Sequence, residues 1–108
     1  GLIPGKFKKF DRGESLRKVP HMGWNLVKYR DDFRIKINSQ KDQERFYFVH
    51  SYRYFHKTNE FIYAYTEYEE EFASIIGSQN VLGCQFHPEK SHVNGMNFLN
   101  SYFNSIIK

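Results

Sequence analysis

Residues 81–88 read Val-Leu-Gly-Cys-Gln-Phe-His-Pro, and the fold is decided by what this run becomes. Residues 81–86 are short and nearly continuously apolar, the pattern of a buried strand. Pro88 has no N–H to give to a ladder, so the strand ends near His87. Glu89 and Lys90 follow directly. The chain therefore delivers an imidazole to the C-terminal end of a strand, with a carboxylate two positions later. In α/β proteins, reactive groups collect at such strand ends. A carboxylate bonded to one imidazole nitrogen fixes the tautomer and leaves the other nitrogen free as a base. Such a pair can activate a Ser or Cys nucleophile supplied from elsewhere. On spacing alone, a satisfied surface pair is the commoner meaning of a His near a Glu.

Downstream, Met96, Leu99, Phe103, Ile106 and Ile107 recur at helical spacing and predict a C-terminal helix, with Ser91 or Asn94 as candidate caps. Upstream, residues 77–80 (Gly-Ser-Gln-Asn) form a turn cluster, and residues 72–76 are open between a short helix and a strand. The acidic run 69–71 interrupts the apolar pattern, and residues 61–66 (FIYAYT) and 45–50 (RFYFVH) read as strands. Residues 38–44 are polar and predict a loop. Phe33, Ile35 and Ile37 alternate with Arg34 and Lys36, the period of a half-buried strand. Residues 24–29 (WNLVKY) predict another strand, followed by a turn at residues 30–32. The expectation is about six strands and one C-terminal helix. Residues 1–5 (GLIPG) read as a turn with no element before it, a hint that something upstream is missing.

Composition narrows the class. With 108 residues, the chain is one small domain or part of a larger one. Hydrophobic residues at 40% and charged residues at 26% are globular, and 11 Phe with 8 Tyr supply apolar area for a core. No stretch approaches the roughly 20 apolar residues of a membrane span. Lys6, Lys8, Lys9 and Arg12 interrupt any apolar leader, so the expected location is the cytoplasm. Cys84 is the one cysteine, which excludes an internal disulfide and a multi-cysteine metal site. No metal and no cofactor are expected. The net charge of +4 is uneven, since residues 1–30 carry eight Lys/Arg against two acids. No nucleic-acid reader motif accompanies that basic segment, so it reads as solvated surface, and neither nucleic acid nor membrane is expected as a partner.

Five segments in order carry a resemblance: residues 1–5 (GLIPG), 19–25 (VPHMGWN), 46–52 (FYFVHSY), 64–66 (AYT) and 83–91 (GCQFHPEKS). Together they resemble the C-terminal half of the glutaminase subunit of imidazole glycerol phosphate synthase, a class I, triad-type glutamine amidotransferase. The FHPE stretch is general to class I amidotransferases, whereas PHMGWN is specific to the histidine-pathway glutaminase and its close relatives. The resemblance covers nearly the whole chain. It implies an α/β fold, with residues 1–108 as the C-terminal portion of a three-layer amidotransferase domain. It also implies that residues 72–76 are a strand, turning back across residues 77–80 into the next one.

The family hydrolyses glutamine with a Cys-His-Glu triad, and the resemblance assigns His87 as its histidine and Glu89 as its carboxylate. The family nucleophile sits in a Gly-x-Cys-x-Gly turn that this sequence lacks. Cys84, inside a predicted strand, reads as structural. The expectation is a fragment whose nucleophile half is absent and which is inactive alone. Ser51 and Tyr52 match positions that hold the head group of glutamine. Met22, Trp24, Asn25 and Lys90 match the face toward a (β/α)8-barrel cyclase. His50, His56 and His92 read as structural or surface histidines. The implied function is ammonia supply to that cyclase in histidine biosynthesis. The alternatives are a glutaminase for a sugar-modifying amidotransferase of surface-polysaccharide synthesis and a non-catalytic partner-binding module.

Overall fold

In the computed structural model, five antiparallel strands form the main sheet in the order β3-β2-β5-β6-β7. They are β2 (His21–Tyr29), β3 (Gln43–His50), β5 (Ile62–Tyr68), β6 (Glu70–Ser78) and β7 (Val81–Cys84). β1 (Lys6–Lys9) and β4 (Tyr52–Phe55) pair with each other in a second, two-stranded sheet. Among the described residues, two α-helices, α1 (Asp31–Lys36) and α2 (His92–Ile106), and a 3₁₀ turn over Pro88–Lys90 join these strands in a mixed α/β architecture. The structure describes Ile3 and residues 5–9, 21–50, 52–55, 58–68, 70–78 and 81–106.

The main sheet curls until the segment after β7 meets the opposite edge. Phe86 bridges Phe48 of β3 in antiparallel fashion, and the His87 N–H donates to the Tyr47 carbonyl at 2.8 Å. The aromatic load of the sequence fills the space this encloses. Val27, Phe46, Phe48, Ala64 and Ile75 are fully buried. Phe86 stacks on Phe46 with centroids 4.2 Å apart and meets Phe98 of α2 edge-on at 5.4 Å. Each large side chain so buried contributes about 1.5–3 kcal/mol.

Residues 72–76 are a strand, as the family resemblance implies. They lie inside β6, which pairs antiparallel with β7 up to Ser78↔Val81. The turn residues Gln79 and Asn80 are outside the described residues. Glu70 and Glu71 do not end the apolar pattern; they open β6, opposite Tyr68 and Glu67.

Two expectations are corrected. Residues 33–37 do not form a strand. They belong to α1 and its C-terminal end, where Phe33 and Ile37, four apart, are 3% and 2% exposed while Ile35 is 68% exposed. Five residues of alternation also satisfy an i, i+4 pair, and the charges favour the helix. Asp31 and Asp32 sit in its first turn and Arg34 and Lys36 in its last, each sign complementing the helix dipole. Arg30 precedes the helix with two bonds to Asp32, at 2.7 and 2.8 Å, and one to the Ile62 carbonyl at 2.9 Å.

The second correction concerns α2. It forms where expected, but Met96 and Phe103 are exposed. Its inner face is Ser91, Gly95, Phe98 and Tyr102, with Leu99 partly buried beside it. Small residues at the start of this face let the helix approach the 3₁₀ turn closely. A Cβ at Gly95 would run into the Pro88 carbonyl oxygen. Ile107 lies outside the described residues. No helix among them is long and apolar enough to cross a membrane.

Candidate active site

β7 ends at Cys84, and the next three residues cross to β3 before Pro88 opens the 3₁₀ turn. His87 stands at this junction in an extended conformation, φ −103° and ψ 100°. Proline suits the first position of such a turn, where its missing N–H costs nothing. The turn folds Glu89 back onto His87, with Nδ1 and Oε1 3.3 Å apart and both side chains open to solvent on one side. The structure thus brings together the two residues that the sequence singles out. With Nδ1 held toward the carboxylate, Nε2 is left as the basic nitrogen.

The backbone beneath the pair is held from β3. His87 donates to Tyr47 through its N–H, and its carbonyl accepts from the Lys90 N–H at 3.1 Å and from the Ser91 hydroxyl at 2.6 Å. The Ser91 hydroxyl in turn accepts from the Tyr47 N–H at 2.9 Å. Ser91 occupies the capping position expected of it, but its hydroxyl bonds to His87 and Tyr47 instead of to the helix. Asn94, the other candidate cap, donates its side-chain amide to the Arg45 carbonyl at 2.9 Å.

His50, read from the sequence as a structural or surface histidine, is a buried one. It is 8% exposed, and its Nδ1 lies 2.8 Å from the Tyr52 carbonyl oxygen, so Nδ1 carries the proton. Burial among aromatic rings, including Phe72 at 5.0 Å, lowers its pKa; the Tyr52 carbonyl opposes this, and the charge of His87 adds to it. His50 therefore joins the strand that pins His87 to the segment that follows. Its place at the end of the aromatic strand β3, directly before Ser51 and Tyr52, fits that structural reading. Tyr52 itself lies on β4 with its ring exposed, and Ser51 is outside the described residues.

Cys84 is part of the ladder, opposite Ile75. As a whole residue it is intermediate in exposure, but its thiol is desolvated, and burial pushes the pKa from 9.0 up to about 12. Such a thiol holds no useful fraction of thiolate at neutral pH. A cavity of about 200 Å³ opens beside it, lined by Phe7, Tyr54, Ala73 and Ser74 among others, and neither His87 nor Glu89 lines it. Among the described residues, no group of three or more His, Cys, Asp or Glu could hold a metal ion.

A separate surface gathers around Trp24. The ring is 43% exposed, and Met22 on the same strand is 63% exposed. Trp24 stacks on His92, with centroids 5.7 Å apart and planes 12° apart, and meets Tyr47 edge-on at 5.9 Å. His92 is two residues past Lys90, so the indole and that exposed lysine belong to one end of the molecule. Asn25 is tied down, its amide donating to the Glu67 carbonyl at 3.0 Å and its Oδ1 accepting from the Leu26 N–H at 2.8 Å.

Comparison with known proteins gives a consistent answer. The chain is 42% identical over 102 residues to imidazole glycerol phosphate synthase subunit HisH 2 of Methanococcus maripaludis, covering 94% of this chain and 50% of that protein. It is 40% identical over 104 residues to the HisH subunit of Leptospira interrogans, again covering 94% and 50%. With the HisH subunit of Neisseria meningitidis serogroup B it shares 39% identity over 109 residues, 96% of this chain and 51% of the relative. The chain thus spans about half the length of the curated relatives it matches. The family profile described as glutamine amidotransferase class-I matches residues 10–106, and the chain belongs to that family.

Proposed function

We propose that the protein carrying this chain is the glutaminase of an imidazole glycerol phosphate synthase, a cytoplasmic enzyme of histidine biosynthesis. It hydrolyses glutamine and passes the ammonia to a (β/α)8-barrel cyclase. The observation that carries this reading is the His87–Glu89 pair at the end of β7, in a chain of the class-I family whose relatives are named as subunits of that synthase.

In this reading the two residues act on a cysteine supplied by a part of the protein outside this chain. His87 Nε2 takes the thiol proton as sulfur attacks the side-chain amide carbon of glutamine. The tetrahedral intermediate collapses, the C–N bond breaks, and the imidazolium gives its proton to the departing ammonia. Water then attacks the thioester with His87 again as base, and glutamate leaves as the thiol is restored. Glu89 holds Nδ1, which keeps the tautomer and stabilises the imidazolium without itself taking the proton. Ser51 and Tyr52 hold the head group of glutamine, and His50 fixes the Tyr52 carbonyl for that task.

Met22, Trp24, Asn25 and Lys90 form the face toward the cyclase. An exposed Trp beside a Met suits an interface core, and a lysine at its rim suits a carboxylate partner. The test is glutamate release and acceptor product, measured together for the complete protein with its cyclase. Trp24→Ala should weaken cyclase binding by about 2 kcal/mol. Lys90→Ala should lower the ratio of acceptor product to glutamate while hydrolysis continues. Normal binding and an unchanged ratio in both variants would remove this face from the proposal. No glutamate release from the complete protein would remove the glutaminase reading itself.

A further inference from the structure

The two polar backbone groups of His87 are both tied to the peptide of Tyr47, one directly and one through a side chain. Along an antiparallel pair, opposite residues exchange two backbone bonds. Here the first is present, His87 N–H to the Tyr47 carbonyl at 2.8 Å. The second, Tyr47 N–H to the His87 carbonyl, is replaced by a relay. Tyr47 N–H donates to the Ser91 Oγ at 2.9 Å, and the Ser91 O–H donates to the His87 carbonyl at 2.6 Å. Ser91 is 1% exposed, so no bulk water competes for these bonds.

We propose that Ser91 is a positioning residue for His87, its hydroxyl completing a widened rung of the β3 ladder that sets the direction in which the imidazole leaves the backbone. The widening lets the chain leave the ladder at His87 and enter the 3₁₀ turn that returns Glu89. A direct rung would hold the His87 carbonyl against β3 and draw the chain onward as a strand. An open rung would leave the Tyr47 N–H without its Ser91 acceptor and the His87 peptide free to rotate. Gly95 serves the same arrangement from behind, because only a residue without a Cβ lets α2 lie against the Pro88 carbonyl and keep Ser91 within reach. Ser91 touches neither substrate nor nucleophile in this scheme; it acts through His87.

The catalytic consequence rests on the glutaminase reading, whereas the placement of the imidazole does not. The experiment therefore has two readouts on the complete protein, labelled with ¹⁵N in its histidines. One is glutamine turnover, and the other is the pair of His87 ring-nitrogen signals, assigned with His87→Ala. Three variants are compared. Ser91→Ala removes the hydroxyl. Ser91→Cys keeps the approximate size but is a weak donor and acceptor. Ser91→Thr keeps the hydroxyl.

The expected result for Ala and Cys is a kcat reduced about 10-fold or more with KM within about twofold, since a misplaced base costs rate and not binding. Their His87 signals should move toward the tautomer mixture of a free histidine, and Thr should restore both readouts. If Ala does not fold, Cys carries the test. Wild-type kcat and unshifted signals in the Cys variant overturn the proposal, as does a parallel loss of kcat and KM with unshifted signals. If His87→Ala leaves glutamine turnover intact, the glutaminase reading fails instead. The ring signals alone then judge Ser91, shifted signals upholding it and unshifted ones overturning it.

Discussion

Cys84 and His87 are three residues apart on one crossing of the molecule, yet their surroundings are opposite. Cys84 lies within β7, paired to β6, with a thiol whose pKa burial pushes to about 12. His87 lies just past the strand, where the backbone is bonded from three sides but the ring is open to solvent beside Glu89. Three residues carry the chain from the β6 ladder that encloses the Cys84 thiol to the β3 bonds that hold the His87 backbone. Side-chain exposure here follows position in the ladder. A rigid backbone with a free side chain suits a base, and a rigid backbone with an enclosed side chain suits a core.

The contrast is most directly broken by exchanging the fates of the two residues. If the complete protein is the proposed glutaminase, His87→Ala should reduce its kcat for glutamine hydrolysis by about a thousandfold or more, while Cys84→Ala changes it by no more than about threefold. Glu89→Gln should fall between them. Loss of turnover in Cys84→Ala without loss of folding would place the nucleophile in this chain after all.

A second experiment moves the turn and leaves the strand alone. By helix propensity, Gly95→Ala should stabilise α2 by about 1 kcal/mol. The close approach to Pro88 reverses the sign, because overpacking against a backbone carbonyl costs about 3 kcal/mol or more. Urea denaturation of the variant decides between the two. A rise in stability would mean that the helix does not press on the turn that carries the pair.

The smallest expected effect concerns the thiol. Its folded-state pKa, about 12, lies above the 9.0 of an exposed thiol. The protonated thiol therefore favours the fold fully below pH 9, and this contribution is lost as pH rises from 9 toward 12, where the unfolded chain releases the proton first. Tyr29, whose pKa burial also raises, adds loss in the same direction above its ordinary value of 10.0. Denaturation midpoints at about pH 8 and about pH 10.5 should differ less in Cys84→Ala than in the wild type. An unchanged slope would mean that the thiol is solvated.

What the sequence discloses follows the reach of each signal. β3 is legible because four consecutive aromatic and β-branched residues, 46–49, agree, and the turn after β7 is legible because Pro88 ends a ladder by chemistry alone. α1 is not, since Phe33, Ile35 and Ile37 fit two periods, and the weak helix-dipole charges at its ends are reinforced by a tertiary contact, Tyr63 stacked on Phe33 at 5.0 Å. The inner face of α2 begins with Ser91 and Gly95, which are not apolar and so drop out of any hydrophobic count. Their meaning depends on Tyr47, 44 residues away from Ser91, and on the Pro88 carbonyl. β1 and β4 are four residues each, too short for a period to emerge. His87 and Glu89 were visible as residues, while the hydroxyl and the buried His50 around them become visible only once β3 is laid beside the turn.

The stacking of Trp24 on His92 has a practical consequence. This is the single indole in the sequence, so its emission is not mixed with that of any other. An imidazole stacked on the ring face alters the surroundings that set indole fluorescence. Anything that slides the two rings apart, or covers them with another molecule, alters intensity and wavelength together. The chain therefore carries an intrinsic optical reporter at the end of the molecule where Lys90 lies, readable without a dye or a label. A titration followed at the red edge of the absorption band, where tyrosine is silent, would record events at this spot alone.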